Sequence, residues 1–212
     1  MGRDPDIYRA VDAGGTAETK VKGSRFLGLA FPAPTVEVAE EMIEALRKKH
    51  FDATHVCFAW RVGHGQEEAR RMADAGEPSG TAGTPIMQVL ERSGVSDGGI
   101  AVIRWFGGVK LGTGGLIRAY GECAGLALEA ATIGERVLRK PLEVSFTYPQ
   151  ASAVLRLAER YGALADESHY GEEARIRFAV PASKLPIFRD ALVDATAGTI
   201  RFLSQPGSDA GV

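Results

Sequence analysis

The sequence predicts an α+β chain of two domains, and three observations carry that expectation. Its 212 residues exceed the roughly 100–150 that are commonest for one domain. Its 26 glycines are uneven: most lie before residue 135, and clusters stand at 76–83, 94–99 and 107–115. Beyond residue 140 the apolar pattern switches between strand and helix spacing in the order βαββαβ, which is ferredoxin-like. Domains are therefore expected at 1–135 and 136–212, with the chain dividing near Lys140-Pro141.

In the first half, extended segments near Ile7–Val11 and Lys20–Phe31 are expected to pair, with Asp12-Ala13-Gly14-Gly15 as the turn. Thr35 stands where it can cap a helix. Glu37, Glu40 and Glu41 come early in it and Arg47, Lys48 and Lys49 late, as the helix dipole favours. Val38, Met42, Ile43 and Leu46 share its apolar face. A strand at Thr54–Val62 leads into a long polar loop from Gly63 to Gly83, in which Glu67-Glu68-Ala69-Arg70-Arg71 reads as a solvated face and His64 as exposed. Pro85 suits the first turn of a short helix through Leu90. Asp97-Gly98-Gly99 turns into a strand, Ile100–Phe106, and a helix of small residues runs from Gly115 to about Ala131.

In the second half Leu142, Val144, Phe146 and Tyr148 fall on one strand face. A helix over Gln150–Tyr161 turns Val154, Leu155, Ala158 and Tyr161 inward. Two strands flank Tyr170-Gly171-Glu172-Glu173, the second with Ile176, Phe178 and Val180 on one side. Ser183 is expected to cap a helix built on Leu185, Phe188 and Leu192 that stops at Gly198, before a last strand at Thr199–Leu203.

Composition narrows the function classes. The apolar fraction of 45% and charged fraction of 25% are those of an ordinary globular protein, and no run is long enough to suggest a membrane span. The opening residues lack a secretory apolar run, so a cytoplasmic protein is the expectation. The net charge of −2 gives no bulk support to nucleic-acid binding; a local basic patch is a separate matter. Cys57 and Cys123 are expected to be buried free thiols. His55 and Cys57 share a strand face, but two ligands make an incomplete zinc site, so a satisfied histidine beside a buried thiol is the reading adopted.

Two glycine-rich loops carry the chemistry. The first, Asp74 to Pro85, holds Glu77, Ser79, Gly80, Thr81 and Gly83, with a helix beginning where it ends. Amides and hydroxyls so placed suit an anion, while Glu77 can hold a metal, act as a base or pair with an arginine. The competing reading is a structural turn. The second loop, Arg104 to Arg118, is fed by a strand and leaves as a helix, the layout of an anion-binding helix start. It is not a Walker A loop, because Leu111 follows Lys110, nor a dinucleotide fingerprint, because Ile117 replaces the third glycine. A generic phosphate cradle remains, built on Gly107, Gly108, Gly112, Thr113, Gly114 and Gly115 with Arg104, Lys110 and Arg118 as nearby charges. The competing reading is close backbone packing that only glycine allows.

Four runs together resemble the signature of the IMPACT/YigZ family. They are Lys22-Gly23-Ser24-Arg25-Phe26, Asp52-Ala53-Thr54-His55-Val56-Cys57, the run from Gly76 to Gly83, and the run from Arg104 to Leu116. The resemblance covers roughly residues 20–125, and the ferredoxin-like half is similar to the extra C-terminal domain of bacterial members. Ala75 stands where the family usually has a second acidic or polar residue, which weakens any two-carboxylate metal scheme; Trp105 stands where Tyr is frequent. The resemblance implies an N-terminal left-handed βαβ fold like domain 2 of a ribosomal protein, followed by a domain like domain V of elongation factor G. The resemblance is to a family whose eukaryotic members regulate translation by interfering with activation of the amino-acid-starvation kinase; they carry a separate interaction domain with no counterpart in this sequence, so that partner is not carried over.

The function expected is a non-catalytic regulatory or accessory protein, without cofactor or metal. It would bind RNA, the ribosome or a translation factor through the two loops, with Arg25 adding charge and with Arg61, Arg104, Lys110 and Arg118 joining one basic surface if they converge. One alternative is an enzyme acting on a small phosphorylated metabolite or nucleotide, with Glu77 as base. Another is a protein-interaction module using the ferredoxin-like sheet.

Overall fold

The computed structural model describes residues 4–65 and 68–203. It divides into two compact units: Tyr8–Arg136, and the chain from Val137 onward together with the segment up to Ile7.

In the larger unit a five-stranded antiparallel sheet runs in the order β2 (Gly15–Val21), β3 (Ser24–Pro32), β7 (Gly98–Trp105), β4 (His55–Val62), β5 (Ala69–Ala73). β7 lies antiparallel to both β3 and β4, so those two run parallel and are joined by α1 (Val36–Lys49), forming a βαβ unit with β7 between its strands. Alternation along β4 and β7 explains the two cores. Cys57, Ala59, Ile100 and Val102 face α2 (Gly83–Ser93) and α3 (Thr113–Glu129), with Ile86, Leu90 and Tyr120. Phe58, Trp60, Ala101 and Ile103 face α1, with Ile43 and Leu46. Thr35 caps α1 as expected, its Oγ1 accepting from the Val38 amide at 3.3 Å.

Three elements differ from expectation. β1 (Ile7–Ala13) does not pair with the 20–31 segment; it lies between β6 (Val95–Ser96), to which it is parallel, and β8 (Thr132–Val137). The hairpin turn is instead Lys22-Gly23, with φ of 46° and 81°, the paired left-handed conformations that match strand twist. The polar loop contains β5, an edge strand. Its Arg70 and Arg71 lie exposed and pair with Glu91 and Glu40, so an Arg-rich edge resembles a loop in sequence. His64 stacks on Tyr8, ring centroids 5.0 Å apart, rather than standing in solvent. Glu67 lies outside the described residues.

The smaller unit is βαββαβ: β9 (Arg139–Phe146), α4 (Ala151–Tyr161), β10 (Leu164–Tyr170), β11 (Ala174–Pro181), α5 (Leu185–Ala195) and β12 (Arg201–Leu203). The antiparallel order β10-β11-β9-β12 is the ferredoxin-like one. Val144, Phe146, Ile176, Phe178, Phe188 and Leu192 form its core. Leu155 is exposed and Tyr148 leaves the strand, so neither joins the face assigned to it. Ser183 does not cap α5. Its amide and hydroxyl donate to Asp6, the hydroxyl at 2.6 Å, and Asp6 is itself buried. Removing that acceptor strands both donors, so Asp6→Ala is expected to destabilise the smaller unit by ~2 kcal/mol, read as a lower urea midpoint.

Candidate functional site

The first loop is organised by a residue the sequence reading passed over. Asp74, at the end of β5, accepts hydrogen bonds from the amides of Gly80 (2.8 Å), Ala82 (2.9 Å) and Gly83 (2.8 Å). These amides open α2, so its N-terminal anion position is filled by the protein's own carboxylate. Burial alone would raise the Asp74 pKa; the three N–H donors outweigh it and hold the group below its ordinary value. Thr81 is buried and donates to the Pro78 carbonyl at 2.7 Å. Gly80, Thr81 and Gly83 are therefore engaged internally and not open to a ligand, and Ser79 is exposed at the loop's outer side. The signal available was an Asp at the loop's start, six residues before the first amide it binds.

The second loop is built differently. Gly107 crosses the hairpin turn so closely that a Cβ would fall 1.9 Å from the Gly23 carbonyl carbon. It serves the close-packing reading, and its amide donates to Ser24 Oγ at 3.2 Å. Gly108 and Gly112 take φ of 85° and 72°, turning the chain into α3. No side chain caps that helix and no acid lies in its first turn, so the amides at Thr113, Gly114 and Gly115 lack helical partners. Lys110 and Arg118 are exposed beside it.

The two loops meet. Glu77 and Pro78 from the first, with Lys110, Leu111, Gly112 and Thr113 from the second, line one cleft of about 490 Å³, completed by Thr54, His55, Arg104, Phe106 and Leu116. Apolar atoms dominate the walls, and the floor is polar. Glu77, its side chain only 4% exposed, accepts on Oε1 from Arg104 Nη1 at 2.5 Å and from the Tyr120 hydroxyl at 2.7 Å. Arg104, buried as deeply, also donates to Ser24 Oγ and lies between the Phe26 and Phe106 rings, while its Nε has no hydrogen-bond partner among the described residues. His55 Nδ1 lies 2.9 Å from the Ala75 carbonyl and its Nε2 is 3.8 Å from Glu77 Oε1. Beneath them Cys57 Sγ contacts the Asp74 carbonyl and the Tyr120 hydroxyl. Burial pushes the Cys57 thiol up to about 12 and, with Cys57 and Glu77 close by, raises Tyr120 too; both stay protonated at neutral pH.

Of the residues expected from sequence, Glu77, Arg104, Lys110, Gly112 and Thr113 come together in the cleft. Arg25 does not line it; the guanidinium stacks 3.8 Å over Trp105. The basic surface is smaller than expected. Arg61 is bound to Glu68 and to two carbonyls, and Arg104 is paired underground with Glu77, leaving Arg25, Lys110 and Arg118. Sequence reasoning missed Tyr120 and Asp74 altogether and gave His55 only a packing role. Among the described residues no group of three or more His, Cys, Asp or Glu side chains can hold a metal ion, and no helix is long and apolar enough to cross a membrane.

Residues 22–128 match the Impact N-terminal domain, which takes in both loops and the whole cleft. The chain belongs to the IMPACT family. Residues 144–199 match a domain of unknown function, DUF1949. IMPACT family member YvyE of Bacillus subtilis (strain 168) is 33% identical over 90% of this chain and 88% of its own length. IMPACT family member YigZ of Escherichia coli (strain K12) is 33% identical over 89% of this chain and 93% of its own. A crystal structure of a hypothetical protein aligns with 94% of this chain and 97% of that one, at 32% identity and a TM-score of 0.68. The two-domain α+β architecture is thus shared with solved and curated relatives, and the cleft lies wholly within the portion that defines the family.

Proposed function

We propose that this IMPACT-family chain is a regulatory or accessory protein of translation that binds RNA, free or within the ribosome, at the mouth of the cleft. The observation that carries the reading is the uncapped start of α3, with the exposed cation Lys110 just before it and exposed Arg118 in its second turn, neither with an ion-pair partner among the described residues. An exposed aromatic ring adjoins it: Phe106 on the cleft rim is 47% exposed. Amides and cations suit backbone phosphates, and an open ring suits an unstacked base, a combination typical of single-strand binding. Arg25, held over Trp105, extends the charge along the same sheet end.

Three cationic contacts fix the expected salt response. Affinity for labelled single-stranded RNA, followed by fluorescence anisotropy, should fall ~20-fold between 50 and 200 mM salt, and Lys110→Ala with Arg118→Ala should flatten that slope. Binding that ignores salt, or that the double variant leaves unchanged, removes RNA from the account.

A further inference from the structure

The floor of the cleft has unmet bonding capacity of a particular kind. Ala75 offers a carbonyl, which only accepts, so His55 Nδ1 carries the proton of that 2.9 Å bond. In the uncharged ring Nε2 is then an acceptor, and it stands 3.8 Å from Glu77 Oε1 with no shared hydrogen bond. Oε1 is already occupied by Arg104 and Tyr120, whereas Oε2 has no hydrogen bond to a described residue. Nε2 of the uncharged ring and Glu77 Oε2 thus each lack a donor among the described residues, on a carboxylate that is more than nine-tenths buried. A finished core satisfies such groups; a binding site leaves them for its ligand.

The rest of the cleft describes that ligand. Phe106, Leu111, Leu116 and Pro78 form walls for a flat apolar body, and the volume of about 490 Å³ lies within the range of small-molecule sites. Lys110 and the first amides of α3 receive an anion at the open end. A planar group with adjacent N–H donors at one end and a phosphate at the other is a nucleotide. Guanine presents two neighbouring donors, its N1–H and its exocyclic amine. Adenine presents one amino group beside a lone pair, which would face an acceptor here.

We infer that the cleft takes a single guanosine 5′-phosphate unit, base on Glu77 and His55 and phosphate at the start of α3. This deepens the RNA-binding reading, with which it shares the phosphate position. The unit can come from free nucleotide or from an unstacked residue of an RNA strand, at the usual cost of unstacking.

Isothermal titration of the full chain with GMP, AMP, guanosine, inorganic phosphate and a short RNA bearing a 5′-terminal guanosine phosphate tests it. GMP is expected to bind at least ~10-fold tighter than AMP, from the added donor contact. Lys110→Glu should weaken GMP and spare guanosine; His55→Phe should bring the GMP to AMP ratio toward one while the thermal midpoint holds. Tighter binding of the RNA than of GMP assigns the source to a strand, and the reverse assigns it to free nucleotide; either supports the site. Equal binding of AMP and GMP, or of inorganic phosphate and GMP, overturns it. So does salt-dependent RNA binding with no mononucleotide binding, which leaves the RNA reading standing; loss of both overturns both.

Discussion

Arg104→Ala should destabilise the larger unit by ~3–5 kcal/mol, the largest single-residue effect expected outside the apolar core. Arg104 and Glu77 are each about 95% buried at the side chain, and their contact is 2.5 Å. Truncating the arginine leaves a carboxylate whose one remaining hydrogen bond among the described residues is from the Tyr120 hydroxyl, and also removes the guanidinium from between Phe26 and Phe106. The sign reverses for the pair. Arg104→Met with Glu77→Leu removes both charges and keeps most of the volume, while Tyr120 keeps its contact with Cys57 Sγ at 3.4 Å. The double variant should therefore be more stable than Arg104→Ala alone, as replacement of a buried pair by apolar groups generally is. Urea denaturation followed by circular dichroism reads both. A loss under ~1 kcal/mol for Arg104→Ala would mean that water reaches the pair.

Asp74→Ala is the second large effect, ~3 kcal/mol from three amides deprived of a charged acceptor. It also carries a pH signature. The folded-state pKa lies below the unfolded value of ~3.9, so the contribution is fully present above that value and is lost as pH falls through the lower, folded one. The wild-type chain should thus lose stability more steeply in that acid window than Asp74→Ala does, and the two curves should converge at its lower end. Parallel curves from pH 5 downward would show that Asp74 is not ionised when bound to the Gly80, Ala82 and Gly83 amides. Asp74→Asn, which keeps one acceptor oxygen, should fall between the two.

How far the sequence reached can be judged from these same residues. Periodicity gave α1, β4, β7 and the ferredoxin-like half, because each buries one regular face. It failed where a face is not apolar. β5 was hidden by its exposed arginines, and β1 was paired wrongly because Lys22-Gly23, not the double glycine, supplies the turn. At the site, glycine content located both loops but could not distinguish them. Whether a helix start is receptive depends on one side chain several residues upstream, present as Asp74 for α2 and without equivalent for α3. Tyr120 lies mid-helix at an ordinary core spacing, and only its hydroxyl contact with Glu77 marks it.

The bond between Asp6 and Ser183 changes what counts as a module in this chain. Residues 4–7 belong to the smaller unit, and the chain leaves it after Ile7 and returns at Val137. The larger unit is therefore an insertion within the smaller one, not the first of two beads on a string. A fragment cut at residue 136 would lack the strand-end carboxylate that holds the start of α5, whereas Tyr8–Arg136 keeps its own contacts intact. Any exchange of parts between relatives has to carry residues 4–7 along with the C-terminal unit.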